Sequence, residues 1–552
     1  MIQENFVKLY EKSLRENWNL PALSDYFKEE DHFTYGQMAQ EIARLHLLFK
    51  ECKVKKGDKI ALYGRNNTRW CITWLATVTY GAVIVPILSE FNANDVQHII
   101  NHSDSVLLFV GDQHWDSIVP RKVDRIRGVF SLTDFSCIYE GRSGVRKFME
   151  NIDDAFEKEY PDGFTTDDIR YADIDNSEVL LLNYTSGTTG FSKGVMLTGN
   201  NLAGNVVFGI RMKLHYKGSR ALSFLPLAHA YGCSLDFLLS MAVGTHVTLL
   251  GKIPTPKILT EAFARVKPHV IFTVPLIVEK IYKTRILPVL QKPPVQLALK
   301  IPVARDKVYE KIYNELIATF GGVFEQIVVG GAPLNAEVEE FLCKIKFPLT
   351  VGYGMTECAP LIAFTPHTNF VPNSCGRPLE GIMEVRIDSP DPENIVGEIL
   401  TRGENVMVGY YKNQEATKAA FTDDGWLHTG DMGTLGKDNS LFIRGRCKSM
   451  ILSANGQNIY PEEIEAKLNN MPGVMESLVI HRGGKLVALI YPDYEQHEKD
   501  PNMDKIKAIM EENKKQINKQ IASYEQISEI VLYPTEFEKT PKKSIKRYLY
   551  NV

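Results

Sequence analysis

Apolar runs that are typical of buried strands alternate with amphipathic stretches along the chain. Between Lys59 and about Gly251, runs such as KIALYG and SVLLFVG are followed by helical patterns such as DVQHIINH. The alternation resumes downstream, where HVIFTV leads into PLIVEKIY and EQIVVGG leads into NAEVEEFL. This rhythm predicts β-α units on mostly parallel sheets, arranged as two α/β lobes at about 1–251 and 252–378.

The pattern changes after the second lobe. Short strands and turns predict a small β-rich subdomain at about 381–443, and residues 444–449 interrupt the pattern. Beyond them, the helix PEEIEAKLNN, the strands ESLVIHR, KLVALIYPD and EIVLYP, and a Lys/Glu-rich helix predict a compact unit at 450–552. The expected fold is therefore α/β, with a large N-terminal domain (1–443) of two α/β lobes plus the subdomain, and a small α+β C-terminal domain.

Composition narrows the class of protein. A chain of 552 residues, 44% hydrophobic, exceeds what one core usually serves, so several domains are expected. The net charge of -4 gives no basic excess, so no nucleic-acid partner is predicted. The eight cysteines have no zinc-site spacing and favour free thiols. The first 20 residues lack a signal-peptide pattern, and Gly81 and Pro86 break the most apolar run, so a cytoplasmic location is expected.

The strongest chemical signal is the segment YTSGTTGFSKGVMLT, residues 184–198, which follows a strand-like run. Glycines allow consecutive backbone N–H groups to converge on an anion, hydroxyl residues add donors, and Lys193 adds a positive charge. The segment therefore predicts a phosphate-binding loop, with an ordinary flexible turn as the alternative.

Two other motifs compete for this segment. A Walker A loop is excluded, because no Gly-Lys pair in the chain precedes Ser or Thr. The sequence GFSKG formally matches the GxSxG pattern and would make Ser192 an esterase nucleophile. That motif joins a strand directly to a helix, whereas here a Gly/Thr-rich loop precedes Ser192 and the β-prone VMLT follows it, so the context opposes the esterase interpretation.

Six segments together resemble the adenylate-forming superfamily of acyl-CoA synthetases, luciferases and peptide-synthetase adenylation domains. After the loop come, in the family's order, LPLAHAYG (225–232), VVGGAPL (328–334), VGYGMTECAP (351–360), GWLHTGDMG (425–433) and GRCKSMILSANGQNIYPEEIE (445–465). The resemblance covers essentially the whole chain from Phe33 onward. It implies that ATP and Mg2+ activate a carboxylic acid as acyl-AMP, with release of pyrophosphate, and that coenzyme A then accepts the acyl group.

The resemblance also implies roles for individual residues. Glu357 would coordinate Mg2+, Thr356 would hydrogen-bond a phosphate oxygen, and Tyr353 would lie against the adenine. Asp431 would accept the ribose hydroxyls and Arg446 would add a second ribose contact; a helix N-cap and a surface ion pair are the alternatives for these two. The expected nucleotide-binding residues are Thr185, Ser186, Gly187, Thr188, Thr189, Gly190, Lys193, Gly331, Ala332, Tyr353, Gly354, Asp431 and Arg446.

Further roles concern the acid and the domain motion. By resemblance, His229 would gate the acid pocket, with a structural histidine as the equal alternative. Residues 231–239 and 330–334 would line the acyl pocket, for which core packing is an equally good account. Lys448 would be the pivot of a hinge at 444–449 that lets the C-terminal domain rotate between the two half-reactions. The loop 453–457 would border the pantetheine channel.

The chain departs from the family near its end. The family's adenylation lysine aligns with Ser544 within EKTPKKSIKRYLY, residues 538–550. Lys543, Lys542 or Lys546 would then replace that lysine, or the chain adenylates poorly. We favour Lys543 as the catalytic substitute, because an ammonium on a flexible stem tolerates some displacement.

The subfamily pattern is most like that of long-chain fatty acid–CoA ligases, carried by SKGVMLTGNN, GYGMTECAP and QNIYPEEIE. Medium-chain and aromatic acids stay open as substrates. An acyl-AMP ligase that delivers to a carrier protein, or an acyl- or adenylate-binding protein with weakened adenylation, are the alternative functions. Basic and aromatic residues between Lys280 and Tyr313 are compatible with peripheral membrane association or with a solvated helical face.

Overall fold

The structure is a computed structural model that describes residues 2–123, 125–185, 193–452, 457–493, 503–540 and 544–550. Within these ranges the chain divides into two compact units. The first contains the described residues up to Thr185, those from Lys193 to Glu384 and those from Thr401 to Leu427. The second contains Val385–Leu400 and the described residues from His428 onward.

Strands occur throughout both units. They are β1 (Pro21–Asp25), β2 (Lys28–Thr34), β3 (Lys59–Tyr63), β4 (Val83–Ile87), β5 (Ser105–Val110), β6 (Gly128–Ser131), β7 (Cys137–Glu140), β8 (Val179–Thr185), β9 (Lys193–Thr198), β10 (Arg220–Ser223), β11 (His246–Leu249), β12 (Val270–Thr273), β13 (Gln326–Val329), β14 (Leu349–Val351), β15 (Tyr353–Gly354), β16 (Leu361–Phe364), β17 (Arg377–Pro378), β18 (Met383–Asp388), β19 (Gly397–Gly403), β20 (Gly409–Tyr410), β21 (Leu427–Leu435), β22 (Leu441–Arg446), β23 (Ile451–Leu452), β24 (Asn458–Ile459), β25 (Val474–Arg482), β26 (Lys485–Pro492) and β27 (Ile527–Leu532).

Helices connect most of these strands. They are α1 (Phe6–Glu16), α2 (Tyr35–Glu51), α3 (Thr68–Tyr80), α4 (Ala93–His102), α5 (Asp112–Trp115), α6 (Val145–Glu150), α7 (Ile152–Glu159), α8 (Gly199–Arg211), α9 (Leu239–Val243), α10 (Pro256–Val266), α11 (Pro275–Ile281), α12 (Leu287–Leu290), α13 (Pro293–Leu299), α14 (Pro302–Thr319), α15 (Ala336–Lys344), α16 (Gln414–Ala419), α17 (Pro461–Leu468) and α18 (Met503–Gln520). Turns of π-helix at Gly232–Leu238 and Tyr282–Ile286 precede α9 and α12.

The largest sheet of the first unit has the strand order β20-β9-β8-β4-β3-β5-β6-β7. Its five central strands, β8 to β6 in that order, are parallel. The strands β9 and β20 at one edge and β7 at the other are antiparallel to their neighbours. Every residue of β5 is buried, as expected for a strand covered on both faces.

Three smaller sheets complete the first unit. The strand orders are β10-β11-β1-β2, the fully parallel β12-β13-β14, and the antiparallel β15-β16-β17. The buried indoles of Trp70 and Trp74 in α3 lie edge-on to Phe237, with ring centroids 6.2 and 5.9 Å apart. These contacts join the helix next to β3 to the π-helical turn at Gly232–Leu238.

The second unit contains most of the sheet β18-β19-β21-β22, the pair β23-β24, and the sheet β25-β26-β27. Side chains alternate between the two faces of this last sheet. Val479 packs with the helices α17 and α18 on one face, and Leu478 and Ile480 pack with Phe537 and Tyr550 on the other. The C-terminal segment therefore covers a face of the sheet that would otherwise expose apolar side chains.

The predicted α/β fold class, with its larger N-terminal and smaller C-terminal parts, is confirmed. The exact domain boundaries and the hinge at 444–449 stay predictions. No helix within the described ranges is both long enough and apolar enough to cross a membrane.

Candidate active site

The predicted phosphate-binding loop joins two paired strands. The strands β8 and β9 are antiparallel, and Thr185 is the register partner of Lys193. Ser186, Gly187, Thr188, Thr189 and Gly190, together with Ser192, lie outside the described residues. A strand follows Ser192, whereas the esterase motif requires a helix there, so the geometry excludes the nucleophile elbow.

Lys193 and Glu357 both contact Tyr410. The Lys193 ammonium lies over the Tyr410 ring, 4.7 Å from its centroid. The Tyr410 hydroxyl donates a hydrogen bond to Oε1 of Glu357 at 2.9 Å. Burial, and then the charge of Glu357, raises the pKa of Tyr410, so its hydroxyl stays protonated and remains a donor. A cation and a carboxylate that the sequence predicts to handle phosphate and Mg2+ are thus held by one aromatic side chain.

The sequence did not predict Tyr410 as a site residue, because its position depends on a long-range strand pairing. The short strand β20 pairs with β9, which makes Tyr410 the partner of Val195, and the N–H of Tyr411 donates to the Gly194 carbonyl at 2.8 Å. The only local signal is the tyrosine pair in VGYYKN. Nothing in that pair indicates which strand it will join.

The predicted nucleotide segment 353–357 lies between β15 and a turn of 3-10 helix. Tyr353 is buried as the register partner of Ala363, and Thr356 is buried at the start of the turn. A Cβ on Gly354 would meet the Pro360 carbonyl oxygen at 2.2 Å, which explains the glycine by close backbone approach. Glu357 is half-buried, and its carbonyl accepts the N–H of Met407 at 2.8 Å.

Asn205, a buried residue of α8, holds the downstream end of this segment. Its Oδ1 accepts the N–H of Leu361 at 2.9 Å, and its Nδ2 donates to the Cys358 carbonyl at 3.4 Å. The sequence analysis missed Asn205 as a positioning residue. Its amide satisfies backbone groups on a loop more than 150 positions away, and no local pattern announces such a contact.

Gly331 and Ala332 are exposed just beyond the carboxyl end of β13, and Gly331 has a φ of 85°, in the left-handed region. The preceding glycine serves packing. A Cβ on Gly330 would come within 3.1 Å of the Tyr231 ring, and the Tyr231 hydroxyl donates to the Val328 carbonyl at 2.9 Å. Tyr231 and Gly330 therefore pack together in the core, and the lining of the acyl pocket by residues 231–239 and 330–334 stays a prediction.

His229 lies in the half-buried turn that opens the π-helix. Its Nδ1 accepts the N–H of Tyr231 at 3.3 Å. The turn is tied to the central sheet, because Nδ2 of Asn183 in β8 donates to the Ala228 carbonyl at 3.3 Å. His229 thus has both a local structural contact and a position tied to the strand that leads into the candidate phosphate loop.

Asp431 and Arg446 are cross-strand partners in the second unit. They face each other in the pair β21–β22, with Arg446 Nε 3.2 Å from Asp431 Oδ1. Asp431 is in a strand, so the helix N-cap alternative is wrong. The Arg446 side chain is 71% exposed while that of Asp431 is 11% exposed, so the arginine can leave the carboxylate at little cost.

Lys448 is exposed in the turn after β22, where the N–H groups of Ser449 and Met450 both donate to the Arg446 carbonyl at 3.1 Å. This turn lies within the predicted hinge. The residues 453–456 of the predicted pantetheine loop lie outside the described ranges, and Gln457 is exposed.

Lys543 also lies outside the described residues, but the chain on both sides of it is anchored. The N–H of Thr540 donates to the Ser544 carbonyl at 2.8 Å, and the backbones of Lys539 and Ile545 form an isolated antiparallel β-bridge. The Arg547 guanidinium donates to the buried Glu465 of α17. Lys546 is ion-paired with Glu538 at 3.3 Å. The choice of Lys543 over Lys546 as the replacement for the adenylation lysine stays a prediction.

The residues fit a magnesium ion bound largely by its nucleotide. In the described part of the chain, no group of three or more His, Cys, Asp or Glu side chains could hold a metal ion. Mg2+ commonly takes one or two protein carboxylates and completes its shell with phosphate and water oxygens. Glu357 can supply such a carboxylate.

Comparison with known proteins identifies two family models. One, described as AMP-binding enzyme, matches residues 10–411, and a second, described as AMP-binding enzyme C-terminal domain, matches residues 448–551.

Curated relatives cover most of the chain. The long-chain-fatty-acid–CoA ligase FadD15 of Mycobacterium tuberculosis (strain ATCC 25618 / H37Rv) is 29% identical over 93% of this chain and 89% of its own length. The chloroplastic long-chain-fatty-acid–[acyl-carrier-protein] ligase AEE15 of Arabidopsis thaliana is 27% identical over 86% of this chain and 74% of its own.

Solved structures share the fold. ATP-bound MatB from Rhodopseudomonas palustris superposes with a TM-score of 0.77 at 22% identity, covering 99% of this chain and 98% of its own. The anthranilate CoA ligase AuaEII in complex with anthranoyl-AMP gives a TM-score of 0.78 at 20% identity, covering 99% and 96%. At these identities the two structures bear on the fold alone.

Proposed function

The chain belongs to the AMP-binding enzyme family and is an adenylate-forming acyl-CoA synthetase, and we propose that it activates a long-chain fatty acid and transfers it to coenzyme A. The observation that carries the proposal is the arrangement of Lys193 and Glu357 about Tyr410, a cation and a carboxylate next to the glycine-rich loop. Such a pair can bind the phosphates of ATP and the accompanying Mg2+.

The choice of acid is supported by the relatives. Long-chain-fatty-acid–CoA ligases of bacteria and mammals are similar over more than four-fifths of the chain. A carrier-protein ligase is similar at nearly the same identity, so delivery to a carrier phosphopantetheine is the second candidate function. We assign His229 to the entrance of the acid pocket, with Gly331 and Ala332 beside the nucleotide.

We further propose how the chain's own residues serve the first half-reaction. The 185–190 loop and Lys193 hold the β- and γ-phosphates, and Thr356 hydrogen-bonds a phosphate oxygen. Glu357 would hold Mg2+, which when bound would supply positive charge for the departing pyrophosphate. Because carboxylates attack phosphorus slowly, the main contribution of these groups is alignment and charge stabilisation.

The roles in nucleoside recognition follow from the resemblance of these residues to the family's motifs. Tyr353 and Gly354 lie against the adenine, and Asp431 accepts the ribose hydroxyls once Arg446 has moved to its own ribose contact. Lys543 takes the place of the adenylation lysine. Rotation about Lys448 then presents a different face of the C-terminal domain for thioester formation.

The test is a substrate panel. Palmitate, octanoate and benzoate are each incubated with ATP and Mg2+, and either coenzyme A or a holo carrier protein is the acceptor; thioester product is quantified by mass spectrometry. The proposal predicts the highest kcat/KM for palmitate with coenzyme A. A preference for benzoate would overturn the assignment of a long-chain fatty acid as the substrate. Thioester formed only on the carrier protein would establish the carrier-protein ligase, the second candidate function.

A further inference from the structure

A helical excursion of the first unit leaves the core between β12 and β13 and returns to it. Its two ends are anchored on the same side chain. The rings of Tyr282 and Tyr309 lie 5.5 and 6.0 Å from that of Phe341 in α15. Ile286 and Ile312, near these tyrosines, are buried. The anchors make the excursion a fixed part of the fold.

The segment 287–303 between these anchors is apolar but not buried. It contains eight Leu, Ile or Val residues, and no residue in it is buried. Leu297, Ile301 and Val303 are 65%, 53% and 71% exposed. Single exposed aliphatic residues are ordinary, but three of them within seven positions, flanked by half-buried aliphatic residues, are typical of a surface that another apolar phase covers.

The charge of this excursion is opposite to that of the whole chain. Residues 276–307 carry seven Lys or Arg and two acidic residues, a net charge of +5 in a chain whose net charge is -4. From Leu287 to Ala304 there is no acidic residue. The seven basic residues are Lys280, Lys283, Arg285, Lys292, Lys300, Arg305 and Lys307.

We propose that the segment 287–303 docks on an anionic lipid surface, with its aliphatic side chains at the level of the acyl chains and its lysines among the headgroups. Buried aliphatic area and attraction of basic residues to acidic headgroups are the two contributions that hold such helices at a bilayer. A protein partner fits less well. Protein interfaces favour aromatic residues and arginine, and this segment has neither.

The excursion is connected to the candidate site through α11. The Glu279 side chain accepts the N–H of Asn335 at 3.0 Å, at the end of the 331–335 loop. A Cβ on Gly331 would lie 3.8 Å from the Val274 side chain, which immediately precedes α11. Docking would therefore bring the 331–335 loop, which adjoins the proposed nucleotide and acid site, close to the lipid, so that a fatty acid could pass from the membrane to the site. Only this last step, the delivery of the acid, rests on the proposed function.

The test is cosedimentation of the full chain with vesicles in the absence of ATP and acid. Wild type should bind vesicles that contain both phosphatidylglycerol and phosphatidylcholine. It should bind far more weakly to vesicles of phosphatidylcholine alone, and to the mixed vesicles at high salt. The double variant Lys292→Glu/Lys300→Glu should weaken binding by about thirtyfold or more, since each basic residue contributes on the order of a fivefold change. Leu297→Ser/Ile301→Ser should weaken it about tenfold through lost apolar burial.

Matched controls come from other surfaces. Lys147→Glu/Lys158→Glu reverses two exposed lysines on α6 and α7, and Ile395→Ser removes an aliphatic residue that is 50% exposed. Both should bind vesicles as wild type does. The proposal would be overturned if wild type did not bind the anionic vesicles at low salt. It would also be overturned if Lys292→Glu/Lys300→Glu and Leu297→Ser/Ile301→Ser bound them as strongly as wild type does. A dimer in sedimentation velocity that the segment variants abolish would overturn it in favour of a second copy.

Discussion

The Tyr410 hydroxyl donates a hydrogen bond to the Glu357 carboxylate at 2.9 Å, across 53 positions of sequence. The same ring lies beneath the Lys193 ammonium. Tyr410 thus fixes the orientation of the proposed Mg2+ ligand and the position of the proposed phosphate-binding lysine. It carries no charge itself, which makes it a positioning residue.

Substitution of Tyr410 by Phe tests this role. The variant keeps the ring under Lys193 and removes only the hydrogen bond to Glu357. Hydrogen bonds to charged groups contribute about 1.5–3 kcal/mol, so acid-dependent ATP–pyrophosphate exchange should fall about tenfold to a hundredfold. The Mg2+ concentration required for half-maximal exchange should rise with it, which a purely structural defect would not produce.

Tyr411→Phe is the matched control. The Tyr411 hydroxyl donates to Asp104 at 3.0 Å, so this variant also loses one hydrogen bond to a carboxylate. Its Mg2+ dependence should remain that of wild type. An unchanged Mg2+ requirement in Tyr410→Phe would contradict the positioning role.

Sequence patterns sufficed for the strands but not for the pairing that builds the site. The runs KIALYG and SVLLFVG are β3 and β5, because buried parallel strands are continuously apolar. The addition of β20 to the edge of the same sheet could not be foreseen, since it depends on a two-residue strand far from β9. Asp431 shows the same limit. Its segment HTGD is compatible with a helix N-cap or with a strand, and its conformation as a strand depends on pairing with β22.

The C-terminal lysine prediction rests on a comparison of two variants. Lys543→Ala should lower pyrophosphate exchange by at least about a hundredfold, because a positive charge near the reacting phosphate is worth several kcal/mol. Lys546→Ala should lose at most about threefold, since its partner Glu538 is exposed and such pairs contribute little. The measurement is steady-state exchange at saturating acid. The reverse ranking would assign the role to Lys546.

Arg547 anchors the C-terminal segment, and its removal should destabilise the second unit. The guanidinium donates to Glu465, whose side chain is 11% exposed. Breaking one partner of a buried pair costs about 3–5 kcal/mol, so Arg547→Met should give an earlier thermal transition and faster amide exchange in α17. Lys546→Met, which removes an exposed pair, is the control. Equal amide exchange in the two variants would show that Arg547 is not the anchor.

Asp25 should make stability depend on pH. Its carboxylate accepts the N–H of Thr68 at 2.9 Å, and burial raises the pKa of Asp25 to about 7. An unfolded Asp titrates near pH 4, so between about pH 4 and 7 the folded chain holds a proton that the unfolded chain has lost. The free energy of unfolding therefore falls as the pH rises through that window, by about 3–4 kcal/mol from this residue.

Denaturant unfolding at pH 5 and pH 7.5 measures this contribution. Asp25→Asn retains an acceptor for Thr68. It should reduce the difference in unfolding free energy between the two pH values by about 2–3 kcal/mol, because pH 5 to 7 covers only part of the titration window. Asp162→Asn, at an exposed position, should leave the difference unchanged. A pH dependence equal to that of wild type in Asp25→Asn would contradict the assignment.

Under the proposed function, the chain activates a fatty acid as its adenylate at the site formed by Lys193, Tyr410 and Glu357, and then forms the coenzyme A thioester. The most direct measurement is palmitate-dependent pyrophosphate release and palmitoyl-CoA formation by wild type and Glu357→Gln. Wild type should release pyrophosphate and form thioester in equal amounts, and Glu357→Gln should lower both rates by about a hundredfold or more. Full activity in Glu357→Gln, or no acid-dependent release in wild type, would contradict the proposed function.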